Sequence, residues 1–436
     1  MIRIAIDGPG GAGKSSVAKL IARDLSIIYV DTGALYRSIG LFILEKGISP
    51  TDRAAVIDQL KNIDLKLKFT DRQILLLNGV DVGDRIRTPE ISMAASAVSA
   101  IPEVRAFLLD TQRKIAKKNS VIMDGRDIGT VILPDADLKI FLVASPEARA
   151  IRRYKELCEK GVETTYESVL SEMQERDKND STRDVAPCVP ADDAIVLDNS
   201  SMTLEETAKK IELYLQLAQD TKKSRRLYMF FRGTLGPLVR FFGRVHVTGK
   251  ENIPKNGGML ICSNHIGAAD MFLIAATFPR QLRFIAKKEL FSIPILGRLI
   301  RALGAIRVDR KGSNVDAIRR SVDLVRAGEA VAIFPQGHRY PKVNPAETKL
   351  QNGAGLIAYH ASCPVLPVCI KLKKNAYAPF RHVDIIIGKP IPMEELGYEH
   401  GSTAEYREAS NRIFGHVLSL GGFAPTALPS PDEHEH

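Results

Sequence analysis

Residues Ile2 to Ser16 read IRIAIDGPGGAGKSS, and this stretch decides the fold of the first half of the chain. Ile2 to Asp7 is an apolar run of the length of a buried parallel strand. It passes directly into Gly8 to Ser16, which match G-x-x-x-x-G-K-[ST] at Gly8, Gly13, Lys14 and Ser15. Glycines let backbone N–H groups curl around phosphate oxygens, Lys14 reaches the terminal phosphates, and the Ser15 hydroxyl ligates Mg2+. A helix opening at Ser15 adds its positive end. Gly8, Gly10, Gly11, Gly13, Lys14, Ser15 and Ser16 are therefore expected to hold a nucleoside triphosphate. The other reading is a glycine-rich turn without a ligand, but the strand before and the helix after favour the phosphate loop.

Working outward, Ile27–Val30 reads as a second strand, ending in DTGALYR, Asp31 to Arg37. Asp64–Phe69 and Gln73–Leu77 alternate like a small β unit, and Ile91–Lys118 is helical with a break near Pro102. Val121–Met123 is a strand running into DGRDIG, Asp124 to Gly129. Lys139–Val143 is another, followed by a helix from Pro146 to about Lys160. Ala194–Leu197 and a helix over Leu204–Leu217 close the unit. Strands alternating with helices predict a doubly wound parallel sheet. ERDKNDSTR, Glu175 to Arg183, has no apolar face; alone it reads as a solvated helix surface, and beside the phosphate loop as a binding segment.

These motifs, with IRTPEISMAASAVSAIPEVR and the run on to VAPCVPADDAIVLD, resemble the bacterial cytidylate kinases in order and spacing over nearly all of the first 220 residues. The resemblance implies a P-loop nucleoside monophosphate kinase fold. It implies transfer of ATP's terminal phosphoryl group to CMP or dCMP, with Mg2+ and ATP bound at the phosphate loop and Lys14, Arg126 and Arg183 catalytic. By the family's positions, Arg37, Arg126 and Arg183 hold the acceptor phosphate, for which forked guanidiniums are suited. Arg176 and Asp127 hold the ribose; Asp180, Ser96 and Arg105 surround the base. A carboxylate can accept from cytosine's exocyclic amine, where uracil offers only an acceptor. Thr32 stands where many members carry Ser and keeps the hydroxyl of that CMP-binding position.

In the second half, Val245–Thr248 and Gly257–Ser263 read as strands, and the latter opens NHIGAAD with His265 and Asp270. A lone His-x(4)-Asp is more often structural than catalytic. LGAIRVDR (Leu303 to Arg310), VAIFPQGHRY (Val331 to Tyr340), VLPVCI (Val365 to Ile370) and a last strand at Ile385–Gly388 follow in order. These blocks resemble the 1-acylglycerol-3-phosphate acyltransferases over about Val245 to Met393. That resemblance implies an α/β glycerolipid acyltransferase domain taking acyl groups from an acyl carrier protein or coenzyme A thioester to lysophosphatidate. His265 would be the general base that deprotonates the acceptor hydroxyl, and Asp270 would orient the ring. Arg310, Gln336, Gly337 and Arg339 would bind the acyl acceptor. FPQGHRY departs from the family's FPEGTR block: Gln336 replaces Glu and His338 replaces Thr. The departure leaves open a degenerate lipid-binding module that tethers the kinase.

The halves meet at KKSRRLYMFFRGTLGPLVRFFGRV, Lys222 to Val245, with seven basic residues and no acidic one among bulky apolar side chains. Residues 1–220 carry a net charge of −4 and 221–436 one of +14. Broken by Gly236-Pro237, the joint predicts two short helices lying on an anionic membrane surface; an inter-domain linker docked on a neighbour is the alternative. The expected domains are 1–220, the joint 221–245, 246–420, and a disordered tail 421–436. The five cysteines form no CxxC or Cys/His cluster, which suits a reducing cytoplasm. No signal peptide is expected, and no apolar run approaches the roughly 20 residues of a spanning helix. The expected location is cytoplasmic, peripheral on the inner face of the cell membrane. Nucleic acid is not expected as a partner, since aromatics interleave with the basic residues only at the joint.

Overall fold

The computed structural model describes residues 1–69, 73–159, 161–182, 185–308, 315–377 and 382–423. The chain divides into two compact units, Met1–Gln216 and Leu217–His436. Both are α/β.

In unit 1 the strands are β1 (Arg3–Asp7), β2 (Ile28–Asp31), β3 (Leu65–Phe69), β4 (Gln73–Leu77), β5 (Val80–Asp81), β6 (Val121–Asp124), β7 (Leu138–Val143) and β8 (Ile195–Asp198). The helices are α1 (Lys14–Asp24), α2 (Thr32–Glu45), α3 (Arg53–Gln59), α4 (Pro89–Ser99), α5 (Pro102–Lys118), α6 (Pro146–Glu159) and α7 (Tyr166–Thr182). Five strands form a parallel sheet in the order β2-β6-β1-β7-β8, and β3, β4 and β5 form a small antiparallel sheet. Burial on both faces explains the continuous apolar runs: Ile4, Ala5 and Ile6 are wholly buried. Chain order reverses about β1, between β6 and β7, so its carboxyl end opens a crevice, and that is where Gly8 to Gly13 lie.

Helix α8 (Leu204–Phe242) begins in unit 1 and ends in unit 2. This corrects the expectation of a helix ending at Leu217 and two short ones beyond. The helix runs through Pro237 without ending there. A proline ring lacks an N–H donor and crowds the carbonyl four positions earlier, here that of Gly233. Tertiary contacts hold the helix through it: Ser224 and Tyr228 are buried, and a Cβ at Gly236 would sit 3.8 Å from Ala276.

Unit 2 continues with β9 (Val245–Thr248), β10 (Met259–Ser263), β11 (Leu282–Lys287), β12 (Ile306–Val308), β13 (Ala330–Ile333), β14 (Val365–Leu372) and β15 (Val383–Ile387). Its helices are α9 (Asp270–Thr277), α10 (Lys288–Phe291), α11 (Pro294–Ala302), α12 (Val315–Arg326), α13 (Gly353–Ala361) and α14 (Thr403–Gly421). One seven-stranded sheet runs β12-β11-β13-β10-β14-β15-β9, antiparallel only between β14 and β15. Because β10, β13 and β14 are parallel neighbours, the loops after all three emerge at one edge. Gly421 ends α14, so the expected tail starts within a helix; 424–436 lie outside the described residues.

Candidate active sites

In unit 1 the phosphate loop is shaped by its glycines. Gly8 has φ 141°, and a Cβ there would lie 2.1 Å from the Leu142 carbonyl oxygen, so no other residue fits. Gly11 and Gly13 have φ 74° and 86°. Lys14 is buried at the start of α1 and its Nζ donates to the Pro9 carbonyl at 2.7 Å. Burial, reinforced by the Arg126 guanidinium, lowers its pKa to about 7. The Ser15 hydroxyl donates to Asp124 Oδ2 at 2.6 Å, and Ser16 is exposed. A hydroxyl beside a carboxylate is the hard oxygen set that Mg2+ selects, so Ser15 and Asp124 fit the ion that accompanies a nucleoside triphosphate. Burial first, then Asp31, raises the Asp124 pKa.

Arg126 reaches the loop, since a Cβ at Gly10 would lie 3.6 Å from its Nη2. Its Nε donates to Asp180 at 2.9 Å. Arg37 donates to Asp31 at 2.9 Å. Arg176 is solvent-exposed but crowded: desolvation, then the Arg126 guanidinium, lowers its pKa, with Arg37 contributing in the same direction. Arg126 thus lies between Lys14 and Arg176, and Arg176 also feels Arg37. Arg183 lies outside the described residues.

Two of the residues expected at the nucleotide form ion pairs within the protein. Asp127, expected at the ribose, pairs with Arg105, itself expected at the base; Asp180, expected at the base, pairs with Arg126, expected at the acceptor phosphate. Arg105 and Asp127 line a cavity of about 300 Å³ with Tyr36 and Gln112. Arg105 also stacks over the Tyr36 ring and donates to the Ser99 carbonyl, one turn from Ser96 on α4. Thr32 is buried and donates to the Asp124 carbonyl at 2.7 Å, so its hydroxyl joins strand ends. Gln112 and Arg149 escaped sequence reasoning. Gln112 is 1% exposed, and both amide atoms lack a partner among the described residues. Arg149 is buried, donates to the Gly10 carbonyl at 2.9 Å and pairs with Asp177, bracing the loop. Each sits on an otherwise ordinary helix, where sequence gives no sign of what the far end touches.

In unit 2 the site is built at the carboxyl ends of β10, β13 and β14. Asn264 stitches β10 to β14 by a reciprocal pair, Nδ2 to the Ile370 carbonyl and Ile370 N–H to Oδ1, each 2.8 Å. His265 follows. Its Nδ1 lies 2.6 Å from Asp270 Oδ2, and the same oxygen accepts from Ile266 N–H at 2.7 Å and Gly267 N–H at 2.9 Å. Asp270 is wholly buried at the start of α9, and its Oδ1 accepts from the Tyr377 hydroxyl. With Nδ1–H given to Asp270, the His265 ring presents Nε2 as the free base. The ring stacks on Phe334, centroids 4.1 Å apart at 14°.

His265 lines a cavity of about 990 Å³ together with Gly337, Arg339, Lys287 and Arg407. Gly337 makes the turn (φ 68°) that carries Arg339 to the rim, where it is exposed. Gln336 departs from expectation. It is 1% exposed and turned away from the cavity, accepting from His265 N–H at 2.5 Å and donating to Thr348 Oγ1 at 2.7 Å. It positions His265 and is not placed to touch an acceptor. Arg310 lies outside the described residues. Tyr377, Thr348, Lys287 and Arg407 were missed, because contacts between segments this distant in sequence have no local motif.

The Cytidylate kinase family model matches residues 4–217, and the Acyltransferase family model matches residues 244–371. The chain is 50% identical over 221 residues to the cytidylate kinase of Caldicellulosiruptor bescii, covering 98% of that protein and 50% of this chain. It is 52% identical over 209 residues to the cytidylate kinase of Fervidobacterium nodosum, covering 94% of that protein and 48% of this chain. Among solved structures, the 1-acyl-sn-glycerophosphate (LPA) acyltransferase PlsC of Thermotoga maritima aligns at 22% identity with a TM-score of 0.35, covering 99% of that chain and 50% of this one. Through its first half the chain belongs to the cytidylate kinase family, joined in one polypeptide to a second half that the Acyltransferase family model matches over residues 244–371.

Proposed function

We propose that unit 1 transfers the terminal phosphoryl group of ATP to CMP or dCMP. The observation that carries this is Lys14 and Arg126 at the phosphate loop, with Arg176 close to Arg126 and Arg37, and a separate cavity lined by Arg105 and Asp127. Phosphoryl transfer is mostly positioning and charge stabilisation, which such a cluster supplies. Lys14 and the loop N–H groups would hold the donor phosphates, and Arg37, Arg126, Arg176 and Arg183 the acceptor phosphate and ribose. Mg2+, held by Ser15 and Asp124 with phosphate oxygens, would neutralise charge on the donor. The Arg105–Asp127 cavity would take the base.

For unit 2 we propose acyl transfer from a thioester of acyl carrier protein or coenzyme A to lysophosphatidate, giving phosphatidate. The carrying observation is His265, fixed by Asp270 and presenting Nε2 to a cavity with arginines on its wall. His265 Nε2 would take the proton from the acceptor hydroxyl as its oxygen attacks the thioester carbonyl, and Asp270 would stabilise the imidazolium. Arg339, with Arg310, would hold the acceptor phosphate. On the same reading the protein lies at the inner face of the cell membrane, held there by α8. Phe230, Leu235, Leu238, Phe241 and Phe242 are exposed on it beside Arg225, Arg226 and Arg240. No single described helix is long and apolar enough to cross a membrane.

The test is direct. Purified chain is assayed with ATP against CMP, dCMP, UMP and AMP, and separately for thiol release from an acyl thioester with and without lysophosphatidate. Preference for CMP and dCMP, and release dependent on lysophosphatidate, are expected. Equal use of UMP, or release that ignores the acceptor, would contradict the respective half.

A further inference from the structure

Strand β9 is the outermost strand of the second sheet and pairs with β15. It follows the end of α8 through Arg244, held at φ 43°. Along β9, Val245 and Val247 are half-buried while His246 and Thr248 are exposed. Along β15, Val383, Ile385 and Ile387 are buried, which turns Asp384 to the opposite, outer face. His246 and Asp384 are register partners across this parallel pair. His382 lies two residues before Asp384 and therefore shares its face. Strand alternation alone thus gathers two imidazoles and a carboxylate.

The distances match a ligand set. His382 Nε2 is 2.9 Å from Asp384 Oδ1, and His246 Nδ1 is 3.6 Å from the same oxygen. The imidazole rings lie nearly parallel, centroids 6.1 Å apart at 26°. One donor atom from each of the three lies within 4.8 Å of the other two. The side chains are 61%, 58% and 35% exposed for His246, His382 and Asp384, so an ion reaches them from solvent. Imidazole nitrogens with one carboxylate suit Zn2+ and its borderline neighbours, whereas Mg2+ and Ca2+ prefer all-oxygen sites. Lys371, the register partner of Asp384 on β14, flanks the site and makes no ion pair with Asp384 among the described residues.

We propose that His246, His382 and Asp384 form a divalent transition-metal site, with Zn2+ as the representative ion, that clamps the edge strand β9 to β15. Three protein ligands leave the remaining coordination to solvent. The ion binds ligands from both strands and only when they are paired, so it stabilises their pairing by the factor 1 + [L]/Kd. The site is independent of both proposed reactions, neither of which uses these residues.

The test uses the full chain, freed of metal with a chelator, with His434 and His436 of the DEHEH terminus changed to Ala so that they do not compete. Zn2+ is titrated by calorimetry and Co2+ by its visible absorption. One ion per chain with micromolar Kd is expected, weakened at least tenfold by His246→Ala, His382→Ala or Asp384→Asn. With Zn2+ at ten times Kd, amide exchange over Val245–Thr248 should slow about elevenfold, and not at all in the His246→Ala, His382→Ala double variant. Unchanged CMP phosphorylation and an unchanged far-ultraviolet spectrum report intact units. No saturable binding below millimolar ion, undiminished binding in the double variant, or unaltered exchange in β9 would each overturn the proposal.

Discussion

The backbone N–H of His265 donates to Gln336 Oε1 at 2.5 Å, and the other end of that amide donates to Thr348, whose hydroxyl donates onward to the Pro345 carbonyl at 2.7 Å. Each of these three bonds runs in the same direction along the chain. A glutamine satisfies both directions at once; an ionised glutamate could only accept. Gln336→Leu leaves the His265 N–H unpaired and should destabilise unit 2 by about 1–3 kcal/mol. Gln336→Glu buries a carboxyl group that is driven toward its protonated form, so its deficit against the parent should shrink as pH falls. Thermal melts of both variants from pH 5 to 8 check this, and a Gln336→Glu variant as stable as the parent at pH 8 would refute the directional chain.

Tyr377 reaches the same site from beyond the end of β14 and donates to the Asp270 oxygen that His265 does not use. Tyr377→Phe keeps the ring beside Gly267 and removes only the hydroxyl. A hydrogen bond to a carboxylate is worth about 1.5–3 kcal/mol. If it holds Asp270 in line with His265, kcat for acyl transfer should fall roughly tenfold or more with KM for lysophosphatidate nearly unchanged. A matching rise in KM instead would make Tyr377 a substrate contact.

In unit 1, Asp127 sits with Arg105 at the smaller cavity, and Asp180 sits with Arg126. Asp127→Ala should erode the preference for CMP over UMP by about 1–3 kcal/mol, the scale of one directional base contact. Asp180→Ala should lower kcat/KM for both acceptors alike. The ratio of the two kcat/KM values for each variant decides it, and the reverse pattern would return the base contact to Asp180.

How much of this is legible in the sequence follows from the range of the interactions. The phosphate loop is readable because its constraints are local: the φ of Gly8 and the short step to Lys14 are encoded within a few residues. His265 and Asp270 are readable for the same reason, five residues apart across one turn. The pairing of Asp127 with Arg105 and of Asp180 with Arg126 is not, because these residues meet through folding across 22 and 54 residues. Nor is the uninterrupted α8. Gly236-Pro237 is a valid break signal on its own, but packing against α9 holds the helix. The inward turn of Gln336 also lies beyond a motif, since Thr348 supplies half its bonding.

The apolar stripe of α8 is expected to hold the chain on anionic vesicles. Leu235, Leu238, Phe241 and Phe242 recur at helical spacing and are exposed, as is Phe230, whereas Phe231 is half-buried. Each nearby Lys or Arg adds about 1 kcal/mol of screenable attraction, and the apolar side chains add a term that salt does not remove. Changing these five exposed residues to Ser should release the protein from vesicles more completely than molar salt does, while CMP phosphorylation persists. Undiminished sedimentation of the variant with vesicles would rule out this face as the contact.

The central claim is that one chain carries two separate chemistries, phosphoryl transfer at Lys14 and acyl transfer at His265. The most direct measurement assays both reactions in the full chain bearing either Lys14→Ala or His265→Ala. Lys14→Ala should abolish CMP phosphorylation and leave lysophosphatidate-dependent thiol release at the parent rate, and His265→Ala should do the reverse. Acyl transfer that survives His265→Ala, or the loss of both reactions in either folded variant, would contradict it.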